Sequence, residues 1–345
     1  MTVAIDHSTD AGPSPTGIWQ LGISVFARHT ILAAAELGVF TLCDTEALTE
    51  HEIRARLSLH PRGSKDFLDA LVALEMLERT EGRYRSTPVA SRFLDANKPS
   101  YLGRFLRMAD ARWSRLVEGL RTGEPQNGTR NTDAMFTEQY KDDISVWRSY
   151  MVGMDYLTAP LGPLVATAFD WKRIQSFVDV GGGRGSVAAA IAGAHEHLTC
   201  GVLDLPQVRQ VFDEHVAALG MTERISFHGG NFFSDRLPTV DALLFGHVLH
   251  DWGERERRSL VGAAFEALPP GGWILVYDPM IDDDRSHRAS SLLVSLNMLL
   301  ATPGGSEYTA ADCFGWLAEV GFVEPHVVRL DDHDSLVTAR KPANG

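Results

Sequence analysis

The spacing of apolar residues changes character once along this chain, near Trp171. From Thr16 to about Leu94 it is helical. "ISVFARHTILAAAELGVF" carries Arg28, His29 and Glu36 within an apolar run and reads as an amphipathic helix. Thr49 with Glu52 three residues on forms a capping box, and "IRARLSLH" is then a short helix ended by Pro61. Phe67, Leu71, Leu74 and Leu77 supply the stripe of a second helix, and Glu81-Gly82 is a turn leading into "RYRST", one arm of a small wing. This order predicts a winged helix-turn-helix unit. From Tyr101 to about Asp170 the pattern stays helical and carries Trp113, Phe136, Tyr140, Trp147, Tyr150, Met151, Met154 and Tyr156. Most of these are expected in the core, a minority lining an apolar pocket.

After Trp171 the apolar runs become short and β-branched or aromatic: "IQSFVDV", "LTCGVLDL", "RISFHG", "DALLFGH" and "GGWILVYDP", separated by helix-length segments. Such alternation predicts βα units and a parallel sheet. The tail, "GFVEPHVVRLDDHDSLVTAR", reads as a hairpin that adds an antiparallel strand. The expected organisation is a disordered segment over residues 1–15, a winged-helix domain over 16–100, a helical linker contributing to the substrate pocket over 101–170, and an α/β domain over 171–345.

Composition narrows the setting. With 345 residues, 44% of them apolar, the chain can bury a substantial core, and it lacks both a membrane-length apolar run and the pattern of a signal peptide. Cys43, Cys200 and Cys313 are too few and scattered for a disulfide framework or zinc cluster, so a reducing cytoplasm is the expected compartment. The net charge of −13 disfavours a general grip on nucleic acid. Even the winged-helix segment balances Arg54, Arg56, Arg62, Lys65, Arg79, Arg83 and Arg85 against Glu50, Glu52, Asp66, Asp69, Glu75, Glu78 and Glu81. Packing and dimerisation are therefore expected of it, with a ligand-responsive transcriptional regulator as the competing reading.

"FVDVGGGRGSVAAAIAG" has the form strand, glycine loop, helix, which brings backbone N–H groups close to a ligand. A nicotinamide fingerprint requires G-x-G-x-x-G, but Ser186 holds the third glycine position. Asp179, two residues before Gly181, is unhelpful beside a pyrophosphate and suits a cationic amino-acid group. Asp204 ends the next strand, where a carboxylate can chelate two ribose hydroxyls.

In order and spacing, "DVGGGRG", "LDLPQV", "GGNFF", "LHDW", "LPPGGWILVYDPM" and "PGGSEYTAADCFGWLAEVGF" resemble the SAM-dependent O-methyltransferases of the caffeate and flavonoid type, in their bacterial natural-product branch. The resemblance covers nearly the whole chain. It implies a Rossmann-like class I methyltransferase domain behind a winged-helix dimerisation domain, in a homodimer that uses S-adenosylmethionine (SAM) and no metal. Asp179 and Gly181, Gly182 and Gly183, through Gly185, would cradle the methionine part, Asp204 and Leu205 the ribose, and Asn231, Phe232 and Phe233 the adenine. The family's usual residue at Asn231 is Asp. Plant members have Lys where this chain has Gly246, so a cofactor contact is missing there or replaced by His247. The acceptor pocket maps onto Met154, Tyr156, Asn297 and Met298, and a small phenolic, aromatic or polyketide-like acceptor is expected.

The resemblance also makes His250 the base. A phenol with a pKa near ~10 is a poor nucleophile at neutral pH, and an imidazole near ~6.5 is well placed to take its proton. Asp278 and Glu307 match the carboxylates that orient it, Asp278 being one methylene shorter than the family's usual Glu. Three other readings stand beside this one. Asp251 is a candidate helix cap; His247, His250 and the Asp282–Asp284 run are candidate metal ligands; and His250 is a candidate ordinary buried histidine. Some bacterial relatives bind SAM and perform decarboxylation, hydroxylation or pericyclic chemistry, which is the second functional reading.

Overall fold

The computed structural model describes residues 15–98, 100–127 and 144–343. Except for Pro15, the disorder expected over 1–15 lies outside them, as do Phe136 and Tyr140. The chain divides into two compact units, residues 1–109 and 110–345. The helical linker therefore forms no unit of its own.

In the first unit, α1 (Thr16–Leu37) ends where Gly38 turns left-handed with φ 77° and α2 (Val39–Thr45) begins. α3 (Glu50–Arg56) starts on the capping box read from sequence, the Thr49 and Glu52 side chains each satisfying the other's backbone N–H. Pro61 begins α4 (Pro61–Ala73) at a position where the missing N–H costs nothing. Leu77 corrects the expected stripe. It lies in β2 (Leu77–Thr80), because the chain turns at Glu75, whose φ is 60°. β2 pairs with β3 (Arg83–Ser86) to form the wing, and β1 (Leu48–Thr49) joins its far edge. α5 (Pro88–Leu94) follows. Phe40, Ile53, Leu68, Leu71, Leu77 and Tyr84 form the core. The early face of α1 stays in the open, with Ile18 77%, Trp19 68% and Phe26 64% exposed.

α6 (Gly103–Trp113) runs across the boundary, and α7 (Leu116–Thr122), α8 (Ile144–Thr158) and α9 (Gly162–Ala168) belong to the second unit. Its seven strands are β4 (Ser176–Val180), β5 (Thr199–Asp204), β6 (Ile225–Gly229), β7 (Ala242–Gly246), β8 (Trp273–Asp278), β9 (Val323–Arg329) and β10 (Ser335–Arg340). They order as β6-β5-β4-β7-β8-β10-β9. All pairings are parallel except those of β10, which runs against both β8 and β9. The helices between them are α10 (Ser186–Ala194), α11 (Arg209–Ala218), α12 (Glu254–Ala267), α13 (Ala289–Ala301) and α14 (Ala310–Val320).

The alternation of side chains explains why both sheet faces are buried. Phe177, Leu244, Leu275 and Tyr277 pack on one face, and Val178, Val180, Phe245, Ile274 and Val276 on the other. The direction of strand order reverses between β4 and β7, and ligands of open α/β sheets bind at the carboxyl ends beside such a reversal. No single helix among the described residues is long and apolar enough to cross a membrane; only the bent pair α1 and α2, broken at 65°, meets length and composition together.

Candidate active site

A cavity partly open to solvent lies over the carboxyl ends of β5, β4, β7 and β8. Asp179, Gly181, Gly182, Gly183, Asp204, Leu205, Asn231, Phe232, Phe233, Gly246 and His247 all line it, so the structure brings these residues read from the sequence to one cavity, while Gly185 does not line it. α8 contributes Trp147, Tyr150, Met151, Met154 and Asp155. The glycine loop closes on itself through Gly185 N–H to the Gly182 carbonyl at 2.9 Å, and Gly181 N–H ties it to the end of β5 at 2.7 Å. Asp204 accepts the N–H of Gly183 at 2.8 Å and of Leu205 at 2.7 Å, one on each oxygen. Asn231 Oδ1 accepts Phe233 N–H at 2.9 Å, which fixes the turn carrying both phenylalanines.

The cavity is acidic. Asp155, Asp179, Asp204 and Asp251 line it against one guanidinium, Arg184. Burial, with the charge of Asp204 next, pushes Asp179 up to about 7. Burial lifts Asp204 to about 6 although its two backbone donors pull the other way. A buried carboxylate, Asp179, and a partly buried one, Asp204, that repel each other make a site short of positive charge. Its chemistry fits a ligand with a cationic group near β4 and vicinal hydroxyls near β5.

His250 sits in the 3-10 turn Leu249–Asp251 that follows β7. Its Nδ1 is 2.7 Å from Glu307 Oε1 and 3.9 Å from Asp278 Oδ1. The turn bearing Glu307 docks on this segment because residue 305 is glycine: a Cβ there would stand 2.5 Å from the His250 carbonyl. Ser306 N–H donates to that same carbonyl at 2.9 Å, and Arg257 donates to Leu249 O at 2.9 Å and to Ser306 O. Burial works to lower the His250 pKa, but the charges of Glu307 and then Asp278 outweigh it and push it up to about 10.

Several expectations change here. Asp278 does not hydrogen-bond His250: the Tyr308 hydroxyl donates to its Oδ2, and its short arm leaves Oδ1 buried with no hydrogen-bond partner among the described residues. Asp251 does not cap α12, whose N-cap is Gly253. It lines the cavity, with Oδ1 3.8 Å from His250 Nε2, and burial raises it to about 6 against the charge of His250. His250 itself is buried and is not among the residues that line the cavity. Of the acceptor residues, Met154 lines the cavity while Tyr156, Asn297 and Met298 do not. Tyr156 is 53% exposed, Asn297 accepts the Trp113 indole N–H at 3.2 Å, and Met298 is buried on α13. Among the described residues no group of three or more His, Cys, Asp or Glu has metal-holding geometry, and Asp282 instead accepts backbone N–H groups of Ser286, His287 and Arg288.

Sequence reading missed Tyr277, Tyr308 and Asp334. Gly246 lies opposite Tyr277 in the sheet register, and a Cβ at 246 would stand 1.9 Å from Tyr277 Cζ. The tyrosine ring thus occupies the space that a side chain at 246 would take.

Comparison with known proteins adds the following. Residues 113–323 match the family model of the O-methyltransferase domain, and residues 19–96 that of the O-methyltransferase dimerisation domain. The chain is 43% identical to the tetracenomycin polyketide synthesis 8-O-methyl transferase TcmO of Streptomyces glaucescens, over 95% of this chain and 97% of that protein. It is 34% identical to the 3-hydroxy-5-methyl-1-naphthoate 3-O-methyltransferase of Streptomyces sahachiroi, over 92% of each. The structure of human N-acetylserotonin methyltransferase in complex with SAM superposes with a TM-score of 0.82 at 27% identity, covering 98% of this chain and 100% of that one.

Proposed function

The chain belongs to the O-methyltransferase family, and from that premise we propose that it methylates a phenolic hydroxyl of a small aromatic, polyketide-type acceptor, as a homodimer, without a metal ion, and with His250 taking the proton. SAM is the methyl donor, and when bound it supplies an electrophilic methyl group on a sulfonium. The donor set of the cavity fits it: Asp179 would hold an ammonium, Asp204 vicinal hydroxyls, and Asn231 with Phe232 and Phe233 the flat base.

One observation carries the catalytic reading. Glu307 takes the Nδ1 side of His250 at 2.7 Å, which orients the ring and leaves Nε2, beside Asp251, as its free proton-accepting atom. A base raised to about 10 matches a phenol near ~10, so a proton shared between them moves at little cost in either direction. Asp278 contributes its charge from 3.9 Å, and Tyr308 holds it there. The exposed α1 face supports the homodimer.

The test is mass spectrometry of products after incubation with SAM and a panel of hydroxylated naphthoates and anthraquinones. Gain of one methyl on oxygen is expected, and His250→Ala should lower turnover by roughly 10²–10⁴-fold. SAM binding with a demethylated, decarboxylated or hydroxylated product would overturn the proposal in favour of non-methylating chemistry.

A further inference from the structure

His247, which lines the same cavity, is paired with a second carboxylate, and this pair has no part in the mechanism above. His247 Nε2 is 2.7 Å from Asp334 Oδ1, and both side chains are nearly buried. The ring centre of His247 is 5.2 Å from that of His250 and 5.8 Å from that of Tyr277. Its backbone is left-handed, with φ 52°, a conformation a histidine holds only at a cost and one that concentrates at functional sites. Asp334 is itself fixed, its N–H donating to Asp331 Oδ1 at 2.7 Å and its carbonyl accepting Leu330 N–H at 3.0 Å. The loop between β9 and β10 therefore reaches over the end of β8 to orient one imidazole.

A carboxylate can only accept, so in the neutral ring Nε2 carries the hydrogen and Nδ1 is left as an acceptor. β7 lies directly beside β4, with Val180 opposite Phe245 in register, so His247 stands one strand from Asp179. Gly246 offers no side chain and Tyr277 fills its space. An ammonium held near Asp179 has three N–H groups to satisfy.

We propose that His247, fixed by Asp334 as its Nε2–H tautomer, binds the α-ammonium of the cofactor through Nδ1, with Asp334 as a positioning residue. This rests on the assignment of the cavity to SAM. Asp334→Asn discriminates, because an amide can donate to Nε2 and so turn Nδ1 from acceptor into donor while the packing is kept.

The experiment is calorimetric titration of wild type and Asp334→Asn with S-adenosylhomocysteine and with 5′-methylthioadenosine, which lacks the amino-acid end. A drop of about tenfold or more is expected for S-adenosylhomocysteine alone, with methylthioadenosine within twofold. His247→Asn, which relaxes the left-handed backbone yet cannot reach Asp334, should show the same selective loss. Equal losses for both ligands would reduce the pair to a structural strap, and unchanged affinities would also overturn the proposal. Failure of wild type to bind S-adenosylhomocysteine would instead remove the cofactor assignment beneath it.

Discussion

Replacing Asp179 by Asn isolates the negative charge that a bound ammonium would meet. In the free protein Asp179 is raised to about 7 by burial and then by Asp204, whereas an unfolded carboxylate titrates near ~3.9. An ammonium bound beside it favours the ionised form, so binding should expel a proton wherever the free protein still holds one. Two pH units below its pKa, about one molecule in a hundred is ionised. The affinity for S-adenosylhomocysteine should accordingly rise about 100-fold between pH 5 and the plateau above pH 8. Calorimetry in buffers of different ionisation enthalpy should find close to one proton released at pH 6 and close to none at pH 8. Asp179→Asn should bind about 10–100-fold more weakly than the wild-type plateau, with a shallower pH dependence. The sign for folding is opposite. Because the folded pKa lies above the unfolded one, ionisation costs stability progressively from about pH 4 to pH 7, so Asp179→Asn should melt no lower than wild type at pH 8. A wild-type affinity flat from pH 5 to 8, or a variant as pH-dependent as wild type, would refute the charge argument.

Glu307→Gln should depress kcat by about 10–100-fold and Asp278→Asn by less, since only Glu307 touches the His250 ring; steady-state kinetics with the acceptor found by product screening reads the difference, and equal effects would contradict the geometry. Trp19→Asp combined with Phe26→Asp should turn the dimer into a monomer by light scattering, since both side chains lie on the open face of α1; a monomeric wild type would defeat the homodimer. Gly246→Ala should lose about 1–3 kcal/mol in denaturant unfolding, because its Cβ would stand 1.9 Å from Tyr277 Cζ. An unchanged midpoint would show that the tyrosine leaves that space freely.

The central strands β4, β5, β7 and β8 were readable because a strand buried on both faces writes a short, dense apolar run; all five short apolar runs form strands, and the tail hairpin supplies β10 and the largely exposed β9. The α4 end was misread at Leu77, where one apolar residue continues a helical stripe and also begins a strand. That Asp179, Gly181, Gly182, Gly183 and Asp204 share one cavity was readable because they lie at or just beyond the ends of consecutive strands. Partners brought together from distant segments were not. Asp334 meets His247 across 87 positions, Tyr308 meets Asp278 across 30, and nothing in "DDHD" or "SEYT" announces either contact. Tyr277 was hidden for another reason: it fills its strand's place as an ordinary core aromatic, and only the register shows that it takes the room left at Gly246.

Methyl transfer depends on His250 as a proton acceptor held in a strongly negative setting by Glu307 and Asp278. The pH dependence of kcat/KM for methyl transfer, measured for wild type and His250→Ala, tests this most directly. With His250 raised to about 10, wild-type kcat/KM should climb close to tenfold per unit from pH 7 to 9, and His250→Ala should run roughly 10²–10⁴-fold below it at pH 8. A His250→Ala variant within threefold of wild type at pH 8, or a wild-type plateau already reached at pH 7, would contradict it.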